Sequence, residues 1–309
     1  MRILFLFIDG IGLGDADPET NPFTLAHTPT LDLLSNGKKW LRSTERQVSE
    51  RAVFQPIDPN MGVAGRPQSG SNQATILTGL NIPSIIGRHY GPKPDEQTRN
   101  IINQDNFFIE LKANGKKAAL LDAYPPTLLA NIKRGKTLPS SIQQAAISSG
   151  QDLFTIEDVI NGTALTAEYT GEEWRTHLKL DSIPLYSPEA AGEKLVELAL
   201  NYDFAFHSHW ITDYVGHRGP MESAIKLLER IDGVLSGILQ KWDDHQGLVV
   251  LTSDHGNMEK IGDRKHTENA VPLLVIGDAK EAFSETINDL SDLVPQMRHF
   301  LLETSPSKN

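Results

Sequence analysis

The feature that most constrains the fold of this chain is a series of short apolar runs that do not alternate with polar residues. Unbroken runs of this length, rich in Val, Ile, Leu and Phe, are typical of strands that are buried on both faces of a parallel sheet. We therefore predict that buried strands lie at Ile3–Ile8, Lys117–Leu121, Phe204–His207, Leu248–Thr252 and Val271–Ile276.

Segments with helical character lie between these runs and give the chain a strand–helix rhythm. They are predicted at Thr30–Asn36, Asn103–Asn114, Ser187–Leu200 and Met221–Leu239. This rhythm predicts an α/β fold with a doubly wound, mostly parallel sheet that is flanked by helices.

One stretch breaks the rhythm and suggests how the chain is divided. Residues 126–183 are richer in Gly, Ser, Thr and other polar residues and contain few strand signals. We expect them to form a small lid inserted into a core made of residues 1–125 and 184–309. The last residues, Glu303–Asn309, are expected to form a frayed tail.

Charge and composition exclude several classes of function. The 309-residue chain has 29 Lys and Arg against 40 Asp and Glu, for a net charge of −11, which disfavours nucleic acid and anionic membranes as partners. A phosphate-bearing substrate would therefore need a local positive feature such as a bound metal ion. The absence of cysteine excludes disulfides and thiolate catalysis.

The apolar runs also bear on location. The first one is too short for a signal peptide, and no run approaches the ~20 residues of a membrane-spanning helix. We expect a cytoplasmic protein without a membrane partner.

Polar side chains follow several of the predicted strands at the point where each strand ends. In open α/β sheets the carboxyl ends of the strands form the ligand-binding edge. Three aspartates and three histidines are a donor set that suits zinc or manganese, and six donors suit two ions better than one. These candidates are Asp9, Asp213, His217, Asp254, His255 and His266.

Taken singly, each of these residues is weak evidence for a metal site. An aspartate at a strand end is commonly a turn or cap residue, and a lone histidine is commonly a surface or core residue. The coincidence of several at strand ends favours a shared site. The spacing of Asp213 and His217 places both side chains on one side if the segment is helical.

A loop rich in Gly and Ser leads into an apolar helical stretch at Arg66–Gly79. This arrangement offers a nucleophilic hydroxyl, from Ser69 or Ser71, and free backbone N–H groups at a helix N-terminus, where an anion is favoured. The simpler interpretation is a serine that only caps the helix.

The complete ordered set resembles the alkaline phosphatase superfamily of two-metal phosphoryl-transfer enzymes. Its members carry a first Asp, a nucleophile, Asp-x-x-x-His, Asp-His-Gly and a last His in this order. The segment Thr252–Asn257 is especially similar to the branch of cofactor-independent phosphoglycerate mutases and phosphopentomutases. The resemblance extends over Met1–Gly79 and Tyr202–Gly277.

The resemblance implies roles for individual residues. Ser69, ten residues before Gly79, corresponds to the nucleophile that forms a phosphoserine, whereas Ser71 is its rival. Two divalent ions, zinc or manganese, are implied, and their ligand sets are Asp9, Asp254, His255 and the Ser69 oxygen for one ion, and Asp213, His217 and His266 for the other. A small phosphorylated molecule is the implied substrate.

The chain departs from the phosphoglycerate mutases because it lacks their large inserted domain. A small lid would exclude water poorly, which favours a phosphohydrolase acting on a small phosphate ester. A phosphomutase acting on a phosphosugar or phosphoglycerate is the alternative, and a non-catalytic metal-binding protein is a third possibility. The residues two and four positions after Ser69, Ser71 and Gln73, disfavour a sulfatase.

Basic residues near these motifs are candidates for binding substrate. Arg88 and His89 follow the loop–helix segment, and Arg218 follows His217. Arginine suits bidentate binding of phosphate, although a solvated surface arginine is an equally good interpretation of each. His207 and His209 would share one face of a strand, and we expect them to be core or supporting residues.

Overall fold

Seven strands form one sheet in the computed structural model, which describes residues 1–303. The predicted tail lies outside the described residues except for Glu303. The strands are β1 (Arg2–Ile8), β2 (Gln47–Val48), β3 (Ala52–Ile57), β4 (Ala118–Leu120), β5 (Phe204–His209), β6 (Gly247–Thr252) and β7 (Val271–Ile276). Their order across the sheet is β2-β3-β7-β6-β1-β5-β4.

The parallel part of the sheet consists of β6, β1, β5 and β4. In its centre Phe7 of β1 is paired with Ser208 of β5 on one side and with Thr252 of β6 on the other. The five strands predicted from the sequence are confirmed, and β5 continues to His209, two residues beyond the prediction. The prediction of a mostly parallel α/β sheet is therefore confirmed.

The last predicted strand, β7, is antiparallel to its neighbour β6. It therefore does not belong to the parallel part of the sheet. A parallel return requires a crossover across a face of the sheet. The only helix in the β6–β7 connection is the short 3-10 turn Met258–Lys260, so the chain stays at one edge and returns in the opposite direction. Strands β2 and β3 extend the sheet beyond β7 and were not predicted, because Gln55 and Pro56 interrupt the apolar pattern of β3.

Helices cover both faces of the sheet and alternate with the strands along most of the chain. Their bounds are α1 (Pro29–Leu34), α2 (Ser69–Thr78), α3 (Ile82–Ile86), α4 (Glu96–Gln104), α5 (Phe107–Ala113), α6 (Pro126–Lys133), α7 (Ser141–Ser148), α8 (Ile156–Ile160), α9 (Glu172–Leu178), α10 (Pro188–Ala199), α11 (Ile211–Arg218), α12 (Met221–Lys241), α13 (Lys280–Ser284) and α14 (Leu293–Arg298). Among residues 1–303, no helix combines the length and the apolar character that crossing a bilayer requires.

The predicted helix Asn103–Asn114 is in fact the end of α4 followed by α5. Asp105 and Asn106 have extended backbone conformations between the two helices. The Asn106 side chain accepts hydrogen bonds from the N–H groups of Phe108 and Ile109 and so caps α5. The sequence prediction was wrong here because this asparagine starts a new helix rather than continuing one.

Both faces of β1 are buried, as a central strand of a doubly wound sheet requires. Leu4, Leu6 and Ile8 belong to a core with α10 and α12 on one face. Ile3, Phe5 and Phe7 belong to a second core with α2, α5 and α7 on the other face. This double burial explains why the strand is apolar at every position instead of alternating.

The segment predicted to be a lid contains four helices, and they do not share one environment. Helix α7 buries Ile142, Ala145 and Ala146 in the core that also contains Phe5. The later part of the segment contributes to a separate small cluster, made of Ala123, Val159, Ala164, Trp174 and Ile183. The interpretation of residues 126–183 as an inserted lid stays a prediction.

Helices α10 and α12 approach each other closely because of two glycines. A Cβ at Gly192 would lie 2.0 Å from the carbonyl oxygen of Val234, and a Cβ at Gly237 would lie 1.9 Å from that of Glu189. No heavy atom fits at these distances, so any larger residue must push the helices apart. The close packing buries Leu195 and Leu235 beneath the sheet.

We expect Gly237→Ala to lower the free energy of unfolding by about 1–3 kcal/mol, which is the usual cost of overpacking a core. The sign of this change in stability is informative, because replacing glycine by alanine in a helix interior normally stabilises the helix by roughly 1 kcal/mol. Urea denaturation measures the change. Ser236→Ala, one residue earlier, is the control and should change stability by less than about 0.5 kcal/mol. A Gly237→Ala protein as stable as wild type would contradict this packing.

Candidate metal centre and active site

The candidate ligands converge at the carboxyl edge of the parallel strands. Asp9 directly follows β1, Asp254 and His255 follow β6, and Asp213 lies in the first turn of α11, just after β5. His266 lies in the connection between β6 and β7. The antiparallel return of β7 keeps this connection at the edge where the other ligands lie.

Three side-chain atoms form a compact triangle on the solvent side of this cluster. The Nε2 atoms of His217 and His266 are 3.1 Å apart, and they lie 3.4 and 3.7 Å from Oδ1 of Asp213. Ligand atoms around a tetrahedral zinc ion, each about 2.0–2.1 Å from the metal, are separated by about 3.3 Å. The triangle thus has the dimensions of three positions of a metal site.

The protonation of the two imidazoles supports this interpretation. Nδ1 of His217 lies 3.0 Å from the carbonyl oxygen of Arg264, and Nδ1 of His266 lies 2.7 Å from that of Pro67. A carbonyl only accepts, so Nδ1 carries the proton in each ring, and in the neutral rings Nε2 presents a lone pair. Two such lone pairs at 3.1 Å repel each other unless a proton is shared between them or a metal ion binds both nitrogens. The residues therefore fit a divalent metal ion.

A second group lies deeper. Ligand atoms of Asp9, Asp213 and His255 all lie within 4.8 Å of one another. Nε2 of His255 is 3.0 Å from Oγ of Ser69, 3.3 Å from Oδ1 of Asp9 and 3.6 Å from Oδ2 of Asp254. Asp213 belongs to both groups, so the two groups are adjacent.

Burial makes this second group electrostatically unfavourable by itself. Asp254 and His255 are fully buried, and Asp9 is nearly so. Burial and the neighbouring charge of Asp254 raise the pKa of Asp9 well above its usual value, and burial lowers the pKa of His255 to about 3. Among the described residues, Oδ1 of Asp9 and Oδ1 of Asp254 have no hydrogen-bond donor. Buried carboxylate oxygens that lack a donor suit a second cation.

Ser69 rather than Ser71 has its hydroxyl in the site. Ser69 is the first residue of α2, where the helix dipole favours negative charge, and its side chain lines the cavity beside Asp9. The Ser71 hydroxyl instead donates to the carbonyl oxygen of Gln68 and accepts from the N–H of Tyr90. Ser71 thus has a structural role in holding the loop before Lys93.

Two amides that sequence analysis did not select hold the carboxylates in place. Nε2 of Gln73 lies 3.2 Å from Oδ2 of Asp9 and 3.3 Å from Oδ2 of Asp254. Nδ2 of Asn257 donates to Oδ1 of Asp213 at 2.5 Å. Asn257 fits because Gly216 has no side chain: a Cβ there would lie 1.7 Å from its Oδ1. Gln73 lies one turn after Ser69 on α2, so both side chains lie on the same face of the helix. This spacing was the sequence signal that could have identified Gln73 as a residue of the site.

A third missed residue is Lys93, which reaches the cavity through a close backbone approach. A Cβ at Gly70 would lie 2.6 Å from the carbonyl oxygen of Lys93, so glycine lets this loop cross the start of α2. Burial lowers the pKa of the lysine, and the charge of Asp9 raises it. Lys93 therefore adds positive charge beside Ser69.

A cavity of ≈ 1140 Å³ opens in front of Ser69. It is lined by Ser69, Asp9, Asp213, His217 and Arg218, among others. Because Arg218 lines the cavity, it lies at a position where a substrate-binding residue is expected.

Arg88 and His89, the other two candidates for substrate binding, do not line this cavity. Arg88 lies over the ring of Tyr90 and near Asp95, and His89 contacts Asn72 and the carbonyl oxygen of Val63. Arg88 is largely exposed and His89 is held by the loop residues that it contacts, so neither side chain is placed at the cavity. His207 and His209 are fully buried and stack on Tyr169, as expected for core residues.

The sequence matches a family model over residues 1–303, described as the Metalloenzyme superfamily. The chain belongs to this superfamily. This membership confirms the resemblance to the alkaline phosphatase superfamily and establishes divalent metal as its class of cofactor.

Individual relatives agree with this membership. The chain is 29% identical over 233 residues to the 2,3-bisphosphoglycerate-independent phosphoglycerate mutase of Aliivibrio fischeri, an alignment that covers 69% of this chain but 44% of the mutase. The chain thus spans less than half the length of the curated relatives that it matches.

Two solved structures share the fold over nearly all of both chains. A protein from Pyrococcus horikoshii is 18% identical with a TM-score of 0.57, covering 98% of this chain and 97% of its own. The alkaline phosphatase of the Antarctic bacterium TAB5 is 12% identical with a TM-score of 0.52, covering 96% and 97%. At these identities the likeness concerns the fold.

We expect Asp213→Asn to bind less metal than any other single-ligand variant, because this carboxylate belongs to both groups. Changes to the partners of metal ligands typically cost about 10- to 100-fold in affinity, and loss of a ligand should cost at least as much. Plasma mass spectrometry of metal-loaded, dialysed protein gives the stoichiometry. Asp181→Asn, at an exposed position, is the control. Full occupancy in Asp213→Asn would reject the ligand assignment.

Proposed function

We propose that this protein transfers the phosphoryl group of a small phosphate ester to Ser69, with two divalent metal ions as cofactors. The observation that carries the proposal is the position of the Ser69 hydroxyl: its Oγ lies 3.0 Å from Nε2 of His255, beside both groups of candidate ligands and at a helix N-terminus. A nucleophile, two groups of candidate metal ligands and an open cavity are thus combined at one point.

The proposed ligands follow the sequence interpretation. Asp213, His217 and His266 would hold one ion, and Asp9, Asp254, His255 and Ser69 would hold the other. When bound, such ions polarise the phosphoryl oxygens and lower the pKa of the serine hydroxyl. Zinc and manganese both suit this mixture of imidazole and carboxylate donors.

The chain's own residues would orient the reactants. Gln73 fixes the carboxylates of Asp9 and Asp254, so the Ser69 oxygen keeps its position beside them. The dipole of α2 and the ammonium of Lys93 favour a phosphate dianion in front of Ser69, although the whole chain carries a charge of −11. Arg218 and Arg264 line the same cavity and extend this local positive field.

The covalent step exchanges one ester for another. A bond forms between Oγ of Ser69 and phosphorus while the bond from phosphorus to the ester oxygen breaks. The hydroxyl proton leaves Ser69, and the departing alcohol gains a proton. Attack on the phosphoserine by water then releases inorganic phosphate, whereas attack by a hydroxyl of the substrate gives an isomeric ester.

Hydrolysis is our first proposal for the second step. Trp210 and Tyr214 on the rim of the cavity are 52% and 54% exposed, and a cavity of ≈ 1140 Å³ leaves room for water beside a small ester. Intramolecular transfer, as in a phosphomutase, is the alternative because the curated relatives are mutases. Product analysis separates them, since free phosphate indicates hydrolysis and an isomerised ester indicates transfer.

We expect Ser69→Ala to lose phosphoryl transfer by at least about 10⁴-fold, as is usual for a catalytic nucleophile. Its metal content should fall little, because carboxylates and imidazoles supply the other ligands. The measurement is turnover of a panel of phosphate monoesters, combined with mass spectrometry of acid-quenched wild-type protein for phosphate on Ser69. Ser71→Ala is the matched comparison and should lose far less activity. Undiminished turnover in Ser69→Ala would reject the phosphoserine route.

A further inference from the structure

The cavity in front of Ser69 has a second polar wall that the phosphoryl chemistry does not use. Asp122 follows β4 and is fully buried, and Tyr124 and Ser208 stand between it and the cavity. We call Asp122, Tyr124 and Ser208 the hydroxyl subsite. Ser208 is paired with Phe7, two residues before Asp9, so the subsite lies roughly 6–7 Å along the strand direction from the metal groups.

Hydrogen bonds fix the direction in which both hydroxyls of the subsite point. Tyr124 donates its hydroxyl proton to Oδ2 of Asp122 at 3.1 Å, and Ser208 donates its hydroxyl proton to the same oxygen in a short hydrogen bond. The N–H of Ser208 donates to Oδ1 of Asp122 at 2.8 Å. Because Asp122 takes both hydroxyl protons, the two hydroxyl oxygens can offer only lone pairs to the cavity.

The protonation of the surrounding groups supports this arrangement. Burial and the charge of Asp122 raise the pKa of Tyr124 well above its usual value, so the phenol keeps its proton. Burial raises the pKa of Asp122 to about 7, so the carboxylate is ionised and accepts at pH 8. The side chains of Gln143 and Ser208 also interact with the Tyr124 hydroxyl and partly offset the rise in its pKa.

A site that offers acceptors discriminates strongly between ligands. A hydroxyl on the ligand can donate to Ser208 or Tyr124, whereas a carboxylate brings only further lone pairs and its charge is repelled by Asp122 behind them. The opposite preference would require a cation next to the subsite. The hydrogen bonds and ion pairs of Asp122 within the described residues include no lysine or arginine.

The cations that line the cavity belong to the phosphoryl end or to the rim. Lys93 interacts electrostatically with Asp9. The Arg264 backbone contacts His217, and the Arg218 guanidinium lies over the Tyr214 ring at 5.7 Å from its centroid. Charge recognition is therefore concentrated where the phosphate would bind, and the far wall presents the hydroxyl oxygens of Tyr124 and Ser208 with the Asp122 carboxylate behind them.

We propose that the hydroxyl subsite binds a free hydroxyl group on the alcohol part of the substrate, and that the substrate is a phosphate monoester of an uncharged polyhydroxyl alcohol rather than a phosphorylated carboxylic acid. This inference rests on the proposed function for the orientation of the ester, with its phosphate at Ser69. It separates this chain from its curated relatives, which are named for phosphoglycerate.

Two ligands of nearly equal size test the proposal. Glycerol 3-phosphate carries a hydroxymethyl group where 3-phosphoglycerate carries a carboxylate. Binding of both, and of inorganic phosphate, is measured by titration calorimetry at pH 8 with the metal-loaded Ser69→Ala protein, which cannot form the phosphoserine. We expect glycerol 3-phosphate to bind at least about tenfold more tightly than 3-phosphoglycerate and more tightly than phosphate.

Variants of the subsite, made in the Ser69→Ala protein, assign this preference to its residues. Ser208→Ala should weaken glycerol 3-phosphate about three- to tenfold, as expected for one lost hydrogen bond, and leave inorganic phosphate unchanged. Tyr124→Phe should act in the same direction. Tyr202→Phe, at a partly buried tyrosine packed against the other core, is the matched control.

The outcomes separate this inference from the proposed function. Equal binding of the two esters, tighter binding of 3-phosphoglycerate, or an unchanged preference in Ser208→Ala would each overturn the hydroxyl subsite. The expected preference together with a wild-type protein that turns over no member of the panel of phosphate monoesters would support the subsite and reject phosphoryl transfer. Weakening of inorganic phosphate by Ser208→Ala to the same degree would also overturn the inference, because the loss would then be structural.

Discussion

The mutual repulsion of buried carboxylates and imidazole lone pairs is the constraint on which this structure depends. Asp9, Asp254 and His255 are withdrawn from water at the end of the central strands, and two Nε2 atoms face each other at 3.1 Å nearby. Such a cluster raises the free energy of the folded chain unless cations occupy it. The protein thus carries an electrostatic cost at one edge of its sheet, and the metal ions that we propose would offset it. Folding and cofactor binding would then be coupled.

The order and direction of the strands bring the residues of that cluster together. Four parallel strands end at one edge, and the antiparallel return of β7 keeps the residues from Asp254 to His266 at the same edge. Glycines permit the close approaches that complete the site: Gly216 admits the Asn257 amide behind Asp213, and Gly70 admits the loop that brings Lys93 to the cavity. The cavity then has two chemically different ends, one at Ser69 with the candidate metal ligands and Lys93, and one at Ser208 with hydroxyl acceptors backed by Asp122.

Sequence reasoning reached the parts of this architecture that are encoded locally. Buried strands such as β1 are apolar at every position, and the Asp213 to His217 spacing shares one helical face, so both could be predicted. What was missed depends on contacts between distant segments. Gln55 and Pro56 interrupt the apolar pattern of β3, so this strand could not be recognised from the sequence. Lys93 reaches the cavity only because its loop crosses α2 at Gly70. Arg88 and His89 turn away from the cavity for a similar reason, since the orientation of a loop is set by tertiary packing.

An anomalous-scattering map of crystals grown with manganese or zinc tests the proposed pair of metal ions most directly. Two peaks a few ångström apart are expected, one within bonding distance of Asp213, His217 and His266, and the other within bonding distance of Asp9, Asp254, His255 and the Ser69 oxygen. A map with no peak among these side chains, or with peaks that contact other residues instead, would contradict the proposed pair.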